Sequence, residues 1–501
     1  MFLTMGITLY TTRLILNALG STDYGIFNLV AGVIAMLSFL NNAMATSTQR
    51  FLSYYQGKKD VPMQRQVFNN SLILHLIIGV ALVILLEVGG IYLFDQFLNI
   101  PSSRLDSARS IYHFMSGTVF FTVLTVPFTG SLVARENMLW VAVVNISETL
   151  LRLAIALYLI NAAGDKLMLY GMLTALVSVI SFMLYAIYCY QKYPECSVSR
   201  TSFHTDRNLL QQLTSFAGWN LFGSLCAVGR NQGLAVLLNL SFGAVINAAY
   251  GIAIQVSGQL AFFSSTLLRA INPQIMKSEG ALDRSRMLRL SMIASKFSYF
   301  LLAFIAVPCI FEMHTILEFW LKNVPDHTVV FCQLTLIGSL TNQLTIGLQS
   351  GIQAVGKIKA YQAVVGTVIL MNIPMAYLLF KLGYPPYFAL VSFIGIEFIA
   401  CCLRLYFLHK VGGLKISSFF NTVIINELIP TLTLILTCYL MVNHVEMDYR
   451  FIATIIVSTL IFIPSVYITG LSPEEKKMVK NLIFKLTSKL NPGKKIALDK
   501  I

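Results

Sequence analysis

The sequence predicts an all-α integral membrane protein with about 14 transmembrane helices. Three observations predict this class: 56% of the 501 residues are hydrophobic, only 12% are charged, and long apolar runs recur along the chain. Soluble globular proteins carry about 45–50% apolar and about 25% charged residues. The charged side chains are therefore too few to cover a water-soluble surface of this size. A disordered chain is excluded because the apolar content is too high.

The apolar runs have the length of membrane spans. A bilayer core about 30 Å thick is crossed by about 20 helical residues. Fourteen spans are predicted, at 1–19, 26–47, 69–93, 110–132, 138–160, 167–190, 212–238, 245–268, 290–311, 328–353, 360–380, 385–408, 418–442 and 450–470. The segments between them are too short for an extramembrane catalytic domain. Met1 is followed at once by apolar residues without a basic leader, so we expect no signal peptide and a natural start before Met1.

The basic residues predict the orientation of the spans. Loops that begin after an even-numbered span hold, together with the tail, 26 Lys and Arg residues, whereas loops that begin after an odd-numbered span hold six. Cytoplasmic loops carry the excess of Lys and Arg in membrane proteins. Both termini are therefore predicted to be cytoplasmic.

An internal repeat predicts two related halves. Gly20 and Gly243 each follow another glycine by fourteen residues, and each is followed by a Tyr-Gly-Ile motif, at 24–26 and at 250–252. These motifs give an offset of 226 residues, or six spans. An even number of spans returns the chain to the same side of the membrane. The halves are therefore predicted to be parallel repeats, related by a pseudo-twofold axis along the membrane normal.

Reporter fusions test this topology. We expect reporters after Lys166, Asn323 and Lys381 to lie outside, and reporters after Lys59, after Arg286 and in the tail to lie inside. A tail reporter located outside would require an odd number of spans and would contradict the two-halves argument.

Five segments follow from the spans and the repeat. They are an N-terminal six-helix bundle, a cytoplasmic linker, a C-terminal six-helix bundle, a further pair of helices and a basic amphipathic cytoplasmic tail: 1–190, 191–211, 212–408, 409–470 and 471–501. In the tail, Ser472-Pro473-Glu474-Glu475 is typical of a helix start, and apolar residues then recur at helical spacing among lysines. Such a helix binds an anionic membrane surface, and packing on the protein's own loops is the alternative.

Basic residues inside or next to the spans are candidates for lining a cavity. Charged residues are costly at the bilayer centre and usually face a bundle interior or an aqueous cavity. Arg230 heads the mid-span polar run Arg230-Asn231-Gln232-Gly233, and neither it nor Arg13 has an acid within one helical turn. Arg13 lies near a span end, from which it could also reach the interface, and Arg50 and Arg269 could be ordinary flanking charges. The predicted cavity residues are Arg13, Arg50, Arg230, Asn231, Gln232 and Arg269.

Acidic residues inside the spans are candidates for coupling to H⁺ or Na⁺, because a desolvated carboxyl group can exchange its proton. Glu397 and Glu427 are of this kind, as is Glu87, although each could equally anchor a hydrogen bond between helices. Glu148 and Arg152 are spaced to pair on one helix face. They are either an internal neutralising pair or part of a transport pathway.

Other classes of site lack their motifs. The sequence has no Cys-x-x-Cys, no Cys/His spacing that suits zinc, and no Gly-x-x-x-x-Gly-Lys-Ser/Thr for nucleotides. We therefore expect no metal or cofactor. No nucleic-acid partner is expected either, because the basic tail residues interleave with one apolar stripe and show no groove-reading pattern.

Three segments carry a resemblance to a known family. They are Thr12-Arg13-Leu14 with Leu19-Gly20-Ser21-Thr22-Asp23-Tyr24-Gly25-Ile26-Phe27-Asn28-Leu29-Val30, then Thr46-Ser47-Thr48-Gln49-Arg50-Phe51, and the stretch from Ala249-Tyr250-Gly251 to Asn272-Pro273. They resemble the polysaccharide exporters, the O-antigen-type repeat-unit flippases of the multidrug/oligosaccharidyl-lipid/polysaccharide exporter superfamily. The specific motifs that resemble the family cover a small part of the chain. The similarity in span count and in repeat pattern extends over the whole chain. Fourteen spans favour the polysaccharide or lipid II branch over the twelve-span multidrug branch.

The resemblance implies a transporter and not an enzyme. It implies alternating access that moves an undecaprenyl-pyrophosphate-linked oligosaccharide across a bacterial cytoplasmic (inner) membrane, for O-antigen, lipopolysaccharide or other surface polysaccharide. The implied partners are this substrate, membrane lipid and other polysaccharide-assembly proteins. It also implies a cationic cavity between two six-helix bundles, and Arg donors in a low-dielectric cavity suit a pyrophosphate. Two alternatives are a cation-coupled multidrug antiporter, whose cavity should be acidic and aromatic, and a membrane-embedded glycan polymerase, which needs catalytic acids in a loop.

Overall fold

A computed structural model describes residues 2–35, 38–94, 100–197, 206–477 and 479–481, and the regular secondary structure within these ranges is helical. The helices are α1 (Phe2–Ala35), α2 (Ser38–Gly57), α3 (Val61–Tyr92), α4 (Leu105–Ala134), α5 (Met138–Asn161), α6 (Lys166–Lys192), α7 (Arg207–Phe242), α8 (Ala244–Gly280), α9 (Arg284–Phe311), α10 (Met313–Leu321), α11 (Thr328–Gln343), α12 (Ile346–Val355), α13 (Lys359–Leu370), α14 (Asn372–Lys381), α15 (Phe388–Gly412), α16 (Ile416–Phe419), α17 (Ile425–His444) and α18 (Arg450–Ser465). Short 3₁₀ helices at Ser102–Arg104 and Pro194–Cys196 and π-helical segments at Phe420–Ile424 and Val466–Gly470 complete them.

The chain is a multi-pass membrane protein. Eleven helical segments in the described ranges are long and apolar enough to cross a membrane, and α11 with α12, bent by 41°, make a twelfth when counted as one broken span. These twelve correspond to the third to fourteenth predicted spans. The first two predicted spans fall in α1 and α2, which are not among these segments. The all-α membrane fold is thus confirmed, and the count of fourteen stays a prediction.

Gly20 and Gly243 are equivalent helix breaks in the two halves. Their φ angles are +79° and +87°, in the left-handed region that glycine adopts at no steric cost. The N–H of Gly243 still donates to the carbonyl oxygen of Asn239 at 2.8 Å, which ends α7 before α8 begins. At Gly20 the same backbone change divides α1. Both breaks come from glycines that the predicted repeat contains.

The turns that follow α2 and α8 show the same repeat and correct its offset. Asp60 and Asp283 each accept a hydrogen bond from the backbone N–H three residues later, at 3.0 Å in both turns, and thereby start α3 and α9. The residues before them, Lys59 and Leu282, have φ angles of +58° and +62°. The two members of each pair lie 223 positions apart, as Gly20 and Gly243 do. The offset of 226 that the Tyr-Gly-Ile motifs suggested is therefore wrong by three residues.

The ends of α2 and α8 meet through two equivalent glycines. A Cβ on Gly57 would collide with the carbonyl oxygen of Lys277, and a Cβ on Gly280 would collide with that of Tyr54. Tyr54 and Lys277 are themselves equivalent in the repeat, so this contact is reciprocal. The side chain of Lys277 also forms an ion pair with Glu136. A backbone approach this close is open to glycine alone.

The chain packs as two compact units. One comprises Met1–Cys226, Asn272–Met287 and Gln353–Gly366, and the other Ala227–Ile271, Leu288–Ile352 and Thr367–Ile501. In the first unit, α4 lies centrally and packs against α2, α3 and α6. In the second, α9 is the most buried span and contributes to two apolar clusters, one with α7, α8, α11 and α15 and one with α17 and α18. The domain limits drawn from the sequence stay a prediction.

Candidate functional site

The first candidate site is a cavity of about 650 Å³ in the first compact unit, which we call the Arg50 cavity. It is bounded by α2, by the first turns of α7 and by the segment that joins α12 to α13. Its lining consists of Arg50, Phe51, Asn208, Gln211, Gln212, Ser215, Phe216, Trp219, Val355, Gly356, Lys357, Ile358 and Lys359. The lining thus combines three cationic side chains, amides and aromatic rings, and none of the described residues that line it is a carboxylate.

Arg50 is held by carbonyl groups at the end of α12. Its side chain is buried, with Nε 3.3 Å from the carbonyl oxygen of Gln353 and Nη2 3.0 Å from that of Ala354. The last carbonyls of a helix carry partial negative charge, so a guanidinium is favourable there. Three rings surround its Cζ atom: Phe51, Tyr54 and Phe216, with centroids at 4.5, 4.9 and 5.5 Å. Nη1 makes no hydrogen bond to the residues that the structure describes and remains available to a ligand.

Arg50 remains charged despite its burial. It lies beyond the predicted span 26–47, and desolvation by burial lowers its pKa to about 10. The guanidinium is therefore protonated at neutral pH. Gly356, with φ at +87°, makes room for it, since a Cβ there would lie 2.5 Å from Nη2. Lys357 and Lys359 follow in the same turn and are exposed.

A buried amide network supports one side of the Arg50 cavity. Oδ1 of Asn220 on α7 accepts from Nε2 of Gln353 at 3.2 Å and from Nε2 of Gln362 at 3.0 Å. Ser47 on α2 donates to the carbonyl oxygen of Leu213 on α7 at 3.1 Å. Because the polar partners are satisfied inside the protein, these bonds fix α2, α12 and α13 relative to α7.

The second candidate site is a cavity of about 180 Å³ in the second compact unit, which we call the Arg230 cavity. Its lining consists of Arg230, Asn231, Leu234, Tyr250, Ile254, Ser257, Gly258, Thr335, Ser339, Leu390 and Phe393. The guanidinium of Arg230 lies over the ring of Phe393, 4.5 Å from its centroid. Hydroxyl groups of Ser257 and Ser339, which also line this cavity, share a hydrogen bond of 2.8 Å.

Arg230 is paired with Glu397, a partner that its sequence neighbourhood does not reveal. Nη1 of Arg230 lies 2.5 Å from Oε1 of Glu397. The other carboxylate oxygen accepts from Nδ2 of Asn342 at 2.7 Å and lies 3.9 Å from Nη2 of Arg404. All three ionised side chains are buried. Arg230 has no acid nearby in the sequence, but it is not an unpaired cation. Its acidic partner lies on α15, 167 residues away.

The six predicted cavity residues do not share one cavity. Arg50 lines the first cavity, and Arg230 and Asn231 line the second. Gln232 is exposed on α7 and lines neither. Arg13 and Arg269 are exposed as well, and neither has a hydrogen-bond or ion-pair partner among the described residues. Their predicted role in substrate binding stays a prediction.

The predicted coupling residues have four different surroundings. Glu148 and Arg152 form an ion pair of 2.8 Å on one face of α5, and Glu87 bonds to Nδ1 of His113 at 2.6 Å. Glu397 belongs to the network with Arg230. Glu427 differs from all of these, because it is buried and neither of its carboxylate oxygens has a hydrogen-bond partner within the described ranges.

Several residues at these sites carry no functional signal in the sequence. Lys357, Lys359 and Arg404 count there only as cytoplasmic loop charges, and Trp219 is one more aromatic residue in an apolar span. The one local signal in the sequence is the glycine at position 356. In the structure it adopts the left-handed conformation of the turn that places the two lysines next to Arg50. Arg135, in the loop before α5, is similarly tied to the 3₁₀ segment through Glu195, whose hydrogen bonds raise the pKa of its guanidinium.

The chain is similar to solved transporter structures. No protein-family model and no curated protein sequence matches it. A crystal structure of a MATE mutant matches 84% of this chain over 95% of its own length, with a TM-score of 0.71 and 15% identity. An outward-facing multidrug resistance MATE family transporter of the MOP superfamily matches 84% over 94%, with a TM-score of 0.68 and 14% identity. A MOP superfamily transporter from Pyrococcus furiosus matches 83% over 93%, with a TM-score of 0.67 and 15% identity.

These structures agree with the predicted all-α fold and with the predicted pair of repeated bundles. The chain has the fold of the MATE transporters of the MOP superfamily.

Proposed function

We propose that this protein is a membrane transporter that moves an undecaprenyl-pyrophosphate-linked oligosaccharide from the cytoplasmic to the outer leaflet by alternating access. The observation that carries the proposal is the charge of the Arg50 cavity. Arg50, Lys357 and Lys359 line it without a carboxylate among the described residues. An anionic head group would gain charge-assisted hydrogen bonds there, each worth about 1.5–3 kcal/mol when well formed.

The remaining lining suits the sugar part of such a head group. Phe216 and Trp219 offer ring faces, and Gln211 and Gln212 offer amide donors and acceptors. Ligand sites commonly combine apolar and aromatic walls with a few polar groups that orient the ligand. A volume of about 650 Å³ suits a head group rather than a complete lipid, and an isoprenoid chain can remain in the bilayer while its polar head crosses.

The sign of the charge separates this proposal from multidrug export. A cavity for cationic drugs is better served by carboxylates, because complementary charge favours the correct ligand and repels the wrong one. The structure from Pyrococcus furiosus is itself described as having a binding pocket of reverse polarity that suggests a different function. The fold therefore accommodates pockets of either polarity.

A cation-coupled multidrug antiporter is the second candidate. The similarity to a multidrug resistance MATE transporter favours it, as do the buried acids Glu397 and Glu427. Glu397 is, however, already engaged by Arg230. A glycan polymerase would need catalytic carboxyl groups, and neither cavity lining includes one.

A deletion strain tests the proposed function. Loss of the protein is expected to cause lipid-linked oligosaccharide to accumulate in the inner leaflet and surface polysaccharide to decrease. Mass spectrometry of extracted lipids and surface-glycan staining measure the two effects. Normal surface glycan together with increased sensitivity to cationic drugs would contradict the proposal and support the antiporter.

The Arg50 cavity is tested by replacing both exposed lysines. Lys357 and Lys359 are exposed, and most substitutions at exposed positions change stability by about 0.5 kcal/mol or less, so K357Q/K359Q is expected to reach normal abundance. Loss of two cationic contacts is expected to lower glycan export at least about tenfold, since about 1.4 kcal/mol corresponds to a factor of ten. The matched control is K415Q, an exposed lysine of another predicted cytoplasmic loop. Wild-type export by K357Q/K359Q at equal abundance would contradict the binding of an anionic ligand in this cavity.

A further inference from the structure

Glu427 is a carboxyl group buried without a donor. Its side chain on α17 is 3% exposed, and both carboxylate oxygens lack a hydrogen-bond partner in the part of the chain that the structure describes. An ionised carboxylate in such surroundings costs several kcal/mol, whereas a neutral carboxylic acid costs far less. The arrangement is therefore one that a bound proton stabilises.

Lys296 on α9 interacts electrostatically with two carboxyl groups. It is fully buried, and its Nζ lies 2.5 Å from Oε2 of Glu475. Lys296 is also the charged side chain that acts electrostatically on Glu427. The ammonium group is thus committed to Glu475, and one ammonium cannot neutralise two carboxylates. While Glu475 is the ionised partner of Lys296, the three groups are electrically neutral together only when Glu427 carries a proton.

Glu475 is held in place by the first turn of the tail. The backbone N–H of Ser472 donates to Oε2 of Glu475 at 2.7 Å, and the backbone N–H of Glu475 lies 3.4 Å from Oγ of Ser472. This is the reciprocal capping arrangement that starts a helix, as the sequence predicts. Glu474 adds an ion pair of 3.1 Å to Arg289 on α9. The counter-ion of Lys296 therefore belongs to a segment that is docked on α9.

Three other ionisable groups on neighbouring elements are bonded elsewhere or exposed. Tyr299 on α9 shares a hydrogen bond of 3.1 Å with Thr431, whose hydroxyl donates to the backbone carbonyl of Glu427. On α18, Arg450 pairs with Glu312 at 2.9 Å. In the segment Val466–Gly470, Tyr467 is exposed. Lys296 is thus the partner available to an ionised Glu427.

We propose that Glu427 is a proton-binding site and that docking of residues 472–475 on α9 keeps its proton in place by occupying Lys296. When the segment undocks, Glu475 leaves Lys296. The O–H bond of Glu427 then breaks, its proton passes to water, and the carboxylate pairs with the ammonium of Lys296. Proton release from Glu427 and undocking of residues 472–475 are therefore coupled, because both change the partner of Lys296. The use of this proton to drive transport rests on the proposed function. The presence of the proton on Glu427 does not depend on that function.

Infrared difference spectroscopy of the purified full-length protein tests the site without any substrate. A C=O band of a protonated carboxyl group is expected in the wild type at neutral pH and is expected to be absent in E427Q, whose amide resembles the neutral acid in shape. E475Q is expected to lose the same band although Glu427 is unchanged, because Lys296 then pairs with it. The control E148Q, which alters the partly exposed pair with Arg152, should retain the band. The proposal would be overturned if E427Q removed no carboxyl band from the wild-type spectrum. It would also be overturned if the band assigned to Glu427 persisted in E475Q.

A second measurement follows the docked segment directly. Leu471 is buried next to the segment, so a cysteine in L471C is expected to react with a soluble thiol reagent mainly after undocking. Higher pH favours ionisation of Glu427 and therefore undocking, so the reaction should accelerate with pH more steeply in L471C than in L471C/E427Q. The double variant shows the intrinsic pH dependence of the thiol. Equal slopes would overturn the link to the tail, whatever substrate the transporter carries.

Discussion

Replacing Gly280 with alanine is expected to destabilise the protein by about 1–3 kcal/mol, the usual cost of forcing extra atoms into a packed contact. The added Cβ would collide with the backbone carbonyl of Tyr54, which cannot rotate away as a side-chain end could. The ends of α2 and α8 must then separate. Thermal unfolding in detergent and abundance in the membrane measure the effect, and both are expected to fall.

The matched control lies on the same helix. Gly251 has no atom within 4 Å of an added Cβ, so G251A should be neutral or stabilising by up to about 1 kcal/mol, because alanine favours a helix. G57A is expected to behave like G280A, since the two glycines make equivalent contacts. The double variant should cost less than the sum of the two, because the first separation relieves the second collision. Equal stability of G280A and G251A would contradict the close approach.

Replacing Glu397 with glutamine is expected to have the larger effect, about 3–5 kcal/mol, because breaking a buried ion pair leaves an uncompensated charge. Both Arg230 and Arg404 lie near this carboxylate, so E397Q leaves two buried cations. R230Q should cost less, since Glu397 keeps Asn342 and Arg404. Thermal unfolding and membrane abundance rank the two variants, and R230Q should lower abundance and transport together.

The double variant R230Q/E397Q distinguishes a structural pair from a substrate ligand. Removing both charges avoids the unpaired guanidinium, so its abundance is expected to recover above that of E397Q. R13Q is the control, an exposed arginine without a partner among the described residues. Normal abundance of R230Q with lost export would instead assign Arg230 to the transport pathway. That outcome would show that the pair with Glu397 contributes little to folding.

Features that depend on a short stretch of chain could be predicted from the sequence. Apolar runs become helices because a backbone in lipid must satisfy its hydrogen bonds within its own segment. The predicted third to fourteenth spans accordingly coincide with helical segments of the required length. Gly20 and Gly243 end helices by a property of the single residue, and the cap at Ser472 involves residues only three apart. The error in the repeat offset arose where the Tyr-Gly-Ile motifs shift relative to these glycines.

Features that depend on which helices are neighbours were decided only by the tertiary structure. Arg230 reaches Glu397 across 167 residues, and Lys296 reaches Glu475 across 179. Residues so far apart in the sequence cannot be paired by the three- or four-residue spacing of a single helix, so no local pattern indicates these pairs. Lys357 and Lys359 count in the sequence as orientation signals and become cavity residues only because Arg50 caps α12 beside them. By itself the sequence determined helices, breaks, caps and the repeat, because these are satisfied locally. The packing of distant helices decided which buried charges are paired and which carboxyl group, Glu427, is left without a donor.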